Sequence, residues 1–166
     1  MPTIINPNEL QYVESKAAMD EFRWRSCIPR LAELTGSKHL IFDIRSLDPG
    51  KYSYPYHFHR YSEELFVIFS GSATLRSPEG LLVVNPGNLV FFETGESSAH
   101  QLFNHGDVPC VYLDIRTNIG FDVTEYPDSG KINIAPDHGI YEKQSKVDYF
   151  KGEKNIGKIW EGLKKK

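Results

Sequence analysis

The feature that most constrains this 166-residue chain is the stretch over residues 54–71, which reads YPYHFHRYSEELFVIFSG. It contains two histidines two residues apart, a polar run, and then an apolar run that ends at glycine. Successive side chains of a β-strand alternate between its two faces, so His57 and His59 point the same way. Two imidazoles on one face of a strand can bind one metal ion.

A carboxylate follows the histidine pair at Glu64. On an unbroken strand Glu64 would face away from the histidines, because odd and even positions lie on opposite faces. The polar run over residues 60–63 is therefore interpreted as a bend. After this bend Glu64, Phe66 and Ile68 are expected to face inward.

A third imidazole comes later, in a segment where His100, Leu102 and Asn104 share a face. Three imidazoles and one carboxylate form a mixed nitrogen and oxygen ligand set that suits a divalent transition metal. Such a set leaves two positions of an octahedron open to water or substrate. The predicted ligands are His57, His59, Glu64 and His100.

The first of these motifs resembles the first signature motif of the cupin superfamily. That motif consists of glycine, a spacer, His-x-His, three or four residues, glutamate, six residues and glycine. The matching positions here are Gly50, His57, His59, Glu64 and Gly71. The spacer after Gly50 has six residues instead of the usual five. The spacing to Gly71 makes Glu64, rather than Glu63, the matching carboxylate.

The second cupin motif consists of glycine, five residues, Pro-x-Gly, two residues, histidine, three residues and asparagine. Gly80 and Pro86 fit its opening, and residues 100–104 fit its end. Its middle differs, because residues 94–99 replace the compact Pro-x-Gly lead into the histidine. The loop conformation therefore departs from the family pattern, whereas the ligand His100 is kept.

Together the two motifs cover residues 50–104, and the segment 125–128 resembles the Tyr-Pro-Asp segment that closes many small stand-alone bacterial cupins. The resemblance implies an all-β fold, the double-stranded β-helix or jelly-roll barrel. We expect an N-terminal arm over residues 1–38, the barrel over 39–118 and a C-terminal extension over 119–166 with a short amphipathic helix.

The pattern of the middle of the chain agrees with this expectation. From residue 39 onward, turn signals recur about every 8 to 15 residues, the rhythm of a sandwich or barrel. No helical period interrupts them, which argues against a parallel α/β arrangement. Predicted strands outside the first motif cover residues 39–45, 73–76, 81–84, 89–92, 100–103 and 108–115.

The two ends of the chain carry weaker signals. In the arm, residues 15–20 suggest a short helical turn, residues 22–26 an edge strand, and residues 30–34 either a helical turn stopped by Gly36 or a loop. The arm either covers an open sheet edge or swaps onto a partner subunit.

The tail over residues 141–166 carries eight lysines and four acids. Its apolar residues recur at helical spacing: Ile156, Ile159, Trp160 and Leu163. They predict an amphipathic helix that packs on the barrel. A basic amphipathic helix that binds a membrane or a partner is the alternative.

Composition and charge narrow the classes of binding partner that this protein can have. The formal charge of −3 argues against nucleic acid. The first residues lack the basic start and apolar core of a signal peptide, and no apolar run approaches the ~20 residues that span a bilayer. We therefore expect a cytoplasmic protein without membrane partners. Cys27 and Cys110 match no redox or zinc spacing and are expected to be buried, reduced thiols.

Several other side chains are candidates for the walls of a small-ligand pocket. They are Phe66, Ile68, Leu102, Phe91 or Phe92, and one of Tyr52, Tyr54 and Tyr56. Alternatively, these aromatics simply fill the core. Arg45, Arg60 and Gln101 are candidates for orienting a carboxylate or carbonyl group, although solvent exposure is the default for both arginines. His39, His105 and His138 are expected to be surface or capping residues.

The resemblance implies a range of functions. The ligand set and its open positions suit Mn, Fe, Ni or Zn. The superfamily includes dioxygenases, decarboxylases and isomerases, and also non-catalytic binders such as plant auxin-binding proteins. We therefore expect a divalent-metal-binding cupin that is either a small-molecule metalloenzyme or a small-molecule binder or sensor. A barrel in which metal is only structural is a third possibility. Small cupins frequently dimerise, so a homodimer is expected.

Overall fold

The computed structural model describes residues 2–15 and 19–164. These residues form thirteen β-strands and two short α-helices, α1 (Leu31–Thr35) and α2 (Ile156–Leu163). The strands are β1 (Tyr12–Glu14), β2 (Trp24–Cys27), β3 (Leu40–Leu47), β4 (Phe58–His59), β5 (Glu64–Ser70), β6 (Ala73–Ser77), β7 (Gly80–Val84), β8 (Leu89–Phe92), β9 (Gln101–Phe103), β10 (Cys110–Thr117), β11 (Asp122–Tyr126), β12 (Lys131–Ala135) and β13 (Gly139–Glu142).

The strands form three antiparallel sheets. The largest has the order β1-β2-β3-β10-β5-β8, the second β13-β12-β11-β4, and the third β7-β6-β9. In the described part of the chain, five of the ten neighbouring pairs join strands that are not consecutive in sequence, as crossing connections between opposed sheets require. The predicted all-β jelly-roll barrel is confirmed.

The barrel core lies between the sheets and is built from alternate residues of their strands. It contains Leu47, Phe66, Ile68, Ala73, Leu75, Val84, Phe92, Leu102, Cys110 and Tyr112. The predicted bend after His59 is also confirmed, because β4 ends at His59 and β5 begins at Glu64. Along β5, Glu64, Phe66 and Ile68 are buried while the residues between them are more exposed.

The N-terminal arm extends the largest sheet. Strand β2 pairs with β3, and β1 pairs with β2 at the outside. The predicted helical turn forms as α1 and ends at Gly36, whose left-handed backbone (φ 63°) allows its N–H to donate to Glu33 O. Residues 16–18, at the centre of the turn predicted over residues 15–20, lie outside the described residues. Exchange of the arm between subunits stays a prediction, as do the predicted boundaries at residues 38 and 118.

The sequence patterns predict no strands in the region that forms β11 to β13. They are short, and the segments between them hold proline, aspartate and glycine, which read as loop. In the structure β11 pairs with β4, with Thr124 opposite His59 and Glu125 opposite Phe58. This pairing brings the chain after residue 121 against the histidine strand.

The C-terminal helix α2 forms at its predicted place, but the predicted packing on the barrel is wrong. All eight of its residues are exposed, and Trp160 keeps 61% of its surface accessible. An apolar stripe at helical spacing shows that a face favours burial, but it does not specify a surface that covers it. Among the described residues, no helix is both long and apolar enough to cross a membrane.

Candidate metal centre

Three of the predicted ligands meet at the junction of β4 and β5. His57, His59 and Glu64 are buried, and each offers a ligand atom within 4.8 Å of those of the others. The two histidines share a face through strand alternation, and the bend over residues 60–63 turns the carboxylate toward them. Local geometry therefore assembles most of this cluster.

His100 joins the cluster from the other motif. His57 N–H donates to His100 O (3.2 Å) and His100 N–H donates to His57 O (2.8 Å), so the two backbones are bridged. The imidazole of His100 lies with its Nε2 3.0 Å from Glu64 Oε2. Its other face stacks on Phe92, with ring centroids 3.8 Å apart. The structure thus brings all four predicted residues together.

Each histidine is oriented by a hydrogen bond from its Nδ1–H, directed away from the cluster. The acceptors are Pro55 O for His57 (2.8 Å), Asp122 Oδ2 for His59 (2.6 Å) and Ser98 O for His100 (2.9 Å). With the proton on Nδ1, Nε2 keeps its lone pair for a ligand. Metal-bound histidines in proteins show this pattern of outer hydrogen bonds.

Two buried polar atoms of the cluster have no hydrogen-bond partner among the described residues: Glu64 Oε2 and His100 Nε2. They are close, but not in hydrogen-bond geometry. An unsatisfied buried polar atom costs about 1–3 kcal/mol, and a cation that accepts both lone pairs would remove that cost. The donor set therefore fits a divalent metal ion.

The protonation states agree with this fit. Burial, with His100 nearby, lowers the pKa of His57 to about 3, so its imidazole is neutral at pH 7. Burial raises the pKa of Glu64, but the close polar contact with His100 and the positive charge of protonated His100, His59 and His57 lower it below its usual range, so the carboxylate is ionised whenever an imidazole beside it is protonated. Neutral imidazole and ionised carboxylate are the forms that bind metals.

The cluster opens into a cavity of about 260 Å³. Its walls mix aromatic and charged side chains, among them Trp24, Arg45, Tyr54, Asp114 and Tyr126. Burial and the charge of Glu64 raise the pKa of Asp114, and Arg45 offsets part of this effect. The volume suits a small polar molecule, and the carboxyl group gives the cavity a group that can exchange protons near neutral pH.

Strand β10 supplies two cavity residues that the sequence analysis missed. Its pairing with β5 sets Arg116 opposite Glu64 and Asp114 opposite Phe66. Since Glu64 and Phe66 face inward, so do their partners. The alternation of side chains along residues 112–116 indicates that Asp114 and Arg116 share a face. Only the register between β5 and β10 shows that this face is the inner one.

Strand β11 supplies three more: Asp122, Thr124 and Tyr126. Asp122 accepts the Nδ1–H of His59, and its Oδ1 accepts the backbone N–H groups of Tyr61 (3.1 Å) and Val123 (2.9 Å). No motif in the sequence indicated this carboxylate, because it lies 63 residues after the histidine it supports.

The other predicted wall residues divide between core and cavity. Phe66, Ile68, Leu102 and Phe92 belong to the core, whereas Phe91 is exposed. Of the three candidate tyrosines, Tyr54 lines the cavity.

The predicted arginines also differ from each other. Arg45 is buried and faces the cavity, where it pairs with Asp43 (3.1 Å) and Asp114 (3.4 Å). The predicted solvent exposure of Arg45 is therefore wrong. Arg60 is half-exposed and pairs with Glu125. Gln101 donates to Tyr54 O (2.8 Å) and thereby fixes the loop that carries the cavity tyrosine.

The remaining predicted positions lie around the site. Asn104 is fully buried and donates to Leu47 O (2.8 Å) and Val108 O (2.9 Å), so it ties two loops together away from the cluster. His39 and His105 are exposed as expected, whereas His138, although exposed, lines the cavity mouth. Cys27 and Cys110 are buried and free, as predicted.

The fold and the site together define a class: a small jelly-roll barrel with three histidines and one glutamate converging beside a polar cavity. Comparison with known families agrees, because residues 44–116 match the model of the Cupin domain. The chain therefore carries a cupin domain over residues 44–116. No protein with a curated description matches the sequence significantly.

Solved structures extend the likeness to nearly the whole chain. A protein provisionally described as a sugar phosphate isomerase from Acidithiobacillus ferrooxidans is 22% identical with a TM-score of 0.77, over 87% of this chain and 95% of its own. A cupin-superfamily sugar phosphate isomerase from Silicibacter pomeroyi is 21% identical with a TM-score of 0.74, over 89% and 98%. A predicted oxalate decarboxylase from Thermotoga maritima is 17% identical with a TM-score of 0.57, over 69% and 98%. At these identities the likeness establishes the shared fold.

Proposed function

We propose that this protein is a metalloenzyme that binds one divalent transition metal ion and acts on a small oxygenated substrate. The ligands would be His57, His59, Glu64 and His100, and the ion Mn, Fe, Ni or Zn. The observation that carries the proposal is the pair of buried, unpartnered atoms, Glu64 Oε2 and His100 Nε2, at the centre of the cluster. The three outward Nδ1 hydrogen bonds support it.

The cavity favours an enzyme over a passive binder. A purely apolar, sealed pocket would suit binding alone, whereas this cavity contains a carboxyl group that is not one of the predicted ligands, Asp114. The Arg45 Nε–H donates to Asp114 Oδ2 (3.4 Å) and holds that carboxyl group in the wall. The candidate reactions for such an enzyme are those of dioxygenases, decarboxylases and isomerases.

Among these types we favour isomerisation, in which a proton moves between carbon atoms next to a carbonyl group. When bound, the ion would polarise the carbonyl oxygen as a Lewis acid. Asp114 would accept and return the proton, and Arg45 would keep its carboxyl group oriented. Tyr54 and Tyr126 would position the substrate and restrict water. The descriptions of two full-length structural neighbours as sugar phosphate isomerases support the same choice.

Metal content tests the first part of the proposal. Protein without a histidine tag should contain about one equivalent of a divalent transition metal by elemental analysis, and a His57→Ala/His59→Ala variant should lose it. A His105→Ala variant, altered at an exposed histidine, is the matched control. Absence of metal from the wild type, even after incubation with all four ions, would contradict the proposal.

Proton exchange tests the second part. A panel of small hydroxycarbonyl compounds in D₂O should show deuterium incorporation beside the carbonyl group by ¹H NMR. An Asp114→Asn variant should retain metal and lose this exchange by more than about a hundredfold. Binding of these compounds without exchange or turnover would favour a non-catalytic binder instead.

We also propose that the protein is a cytoplasmic homodimer that does not bind nucleic acid. Edge strands β7 and β8 are joined by one turn and expose five large apolar side chains: Leu81, Leu82, Val83, Leu89 and Phe91. Exposed apolar groups on sheet edges favour association with another copy. Light scattering should give twice the mass of 19.0 kDa, and a Leu89→Asp/Phe91→Asp variant should be monomeric. A monomeric wild type would contradict this.

A further inference from the structure

Two arginines of the cavity carry charge that the protein does not neutralise at close range. Arg30, just before α1, and Arg116, on β10, both line the cavity. In the described part of the chain, neither guanidinium has a carboxylate within 4.0 Å, whereas Arg45 in the same cavity has two. An arginine that faces a cavity without an ionic partner is suited to bind an anion.

Arg116 is held close to the candidate metal centre. Its Nη1 lies 3.3 Å from both ring nitrogens of His59, which places the cation against the ring. The Nδ1–H of His59 already donates to Asp122, and Nε2 faces the cluster. Within the described residues, the other N–H groups of Arg116 have no hydrogen-bond partner, so they can donate to a ligand in the cavity.

A third group completes the mouth of the cavity. His138 lies in the turn between β12 and β13, with a left-handed backbone (φ 56°) that is uncommon for a residue other than glycine. Its imidazole lines the cavity and makes no side-chain hydrogen bond or ion pair within the described residues. Three separate segments thus bring to one opening nitrogen groups that have no carboxylate partner among the described residues.

The charge at the mouth of the cavity points to an anion with two negative charges. The ionisable lining of the cavity includes three arginines and three carboxylates. Arg45 is paired with Asp43 and Asp114, so the arginines open to a ligand are Arg30 and Arg116, which carry two positive charges. A phosphate monoester carries about two negative charges near pH 7, and so does a small dicarboxylate.

We propose that Arg30, Arg116 and His138 form an anion subsite that binds the doubly charged oxyanion of the substrate. The end of the substrate that carries the carbonyl group would then lie at the cluster of His57, His59 and Glu64. Arginine recognises phosphate and carboxylate through paired N–H donors, so both sources share this chemistry. The proposal rests on the proposed function for the position of the carbon end, but the subsite itself is built without the metal.

Isothermal titration calorimetry with inorganic phosphate and with malonate tests the subsite in metal-free and in Mn-loaded protein. Phosphate or malonate should bind to both forms, more tightly with metal. Arg30→Gln and Arg116→Gln should each weaken binding about tenfold, and His138→Gln less. The matched control is Arg23→Gln, which removes an arginine that pairs outside the cavity with Glu14 and Asp20.

The outcomes separate the two proposals. Tighter binding of phosphate would assign the subsite to a phosphate group, and tighter binding of malonate to a carboxylate. Binding that is equal in wild type, Arg30→Gln and Arg116→Gln, or absent from the wild type in both forms, would overturn the subsite. Anion binding to a protein that takes up no metal would keep the subsite and refute the metalloenzyme. Because Arg30 is exposed, its variant also remains informative if Arg116→Gln fails to fold.

Discussion

At the residue scale, the histidines depend on acceptors that hold their rings. His59 has the only carboxylate among the three acceptors, Asp122, and this carboxylate is itself fixed by the backbone N–H groups of Tyr61 and Val123. A charged acceptor fixes the tautomer and raises the basicity of the ligand nitrogen. The strength of the proposed metal site would therefore depend on a residue that is not one of its ligands.

Asp122→Asn should weaken metal affinity by about 10- to 100-fold, because a neutral amide replaces the carboxylate that accepts the His59 proton. Competition with a chromogenic chelator measures this change. Asp128→Asn, on an exposed aspartate paired with Arg76, should leave the affinity unchanged. Equal affinity in Asp122→Asn and wild type would contradict a supporting role.

The two glycines of the first motif have different physical requirements. Gly50 and Gly71 both have left-handed backbones, with φ of 69° and 68°. A Cβ on Gly50 would meet nothing within 4 Å, whereas one on Gly71 would lie 2.9 Å from Cys110 Cα. Gly50→Ala should lower the free energy of unfolding by about 1–2 kcal/mol, and Gly71→Ala by more, because a backbone clash adds to the strain. Urea unfolding measures both values, and equal losses would show that the close approach to Cys110 has no energetic effect.

The two thiols should resist modification in the folded protein. Burial raises the pKa of Cys110 to about 11, and burial followed by the nearby Asp43 raises that of Cys27 to about 11. A thiol reagent at pH 8 should label neither cysteine until denaturant is added. Because the two thiols stay protonated to a higher pH in the folded state than in the unfolded state, the free energy of unfolding should fall as pH rises from about 9 to 11. Rapid labelling at pH 8, or stability that rises across this range, would contradict the prediction.

At the element scale, the site is assembled by pairs of strands from distant parts of the chain. The pairing of β10 with β5 sets Arg116 opposite Glu64, and that of β11 with β4 sets Thr124 opposite His59. In a ladder, a shift by one residue would turn every side chain to the other face. Correct register is therefore a condition for both the ligand cluster and the cavity wall.

The C-terminal helix should contribute little to the stability of the barrel. All residues of α2 are exposed, so its removal uncovers little apolar surface. Truncation after Gln144 should leave the midpoint of thermal unfolding within about 2 °C of the wild type. A large decrease would mean that the helix covers a surface of the barrel or of a second copy. Comparison at two protein concentrations distinguishes these two cases.

At the scale of the whole molecule, metal binding should be coupled to folding. An ion that binds only the folded state, supplied at a hundred times its dissociation constant, raises the free energy of unfolding by about 2.7 kcal/mol. For a chain of this length the midpoint should rise by roughly 5–10 °C. Calorimetry with and without chelator measures the shift, and the His57→Ala/His59→Ala variant should show none. A wild type insensitive to chelator would contradict the coupling.

Features that depend on local geometry could be predicted from the sequence alone. The same-face placement of His57 and His59 follows from the period of two, and the inward turn of Glu64 follows from the polar bend. The helical turn that ends at Gly36 and most strands of the barrel follow from similar short-range signals. Such signals are readable because backbone sterics and turn chemistry act over only a few residues.

The residues of other strands that meet this cluster could be identified only from the folded structure. Arg30, Arg116, Asp122 and His138 reach the cavity through registers and loop positions set by contacts across the whole barrel. The apolar stripe of α2 shows the same limit, because its pattern was read correctly and its packing was not. Local patterns give the face of an element, whereas its partner depends on long-range burial summed over the fold.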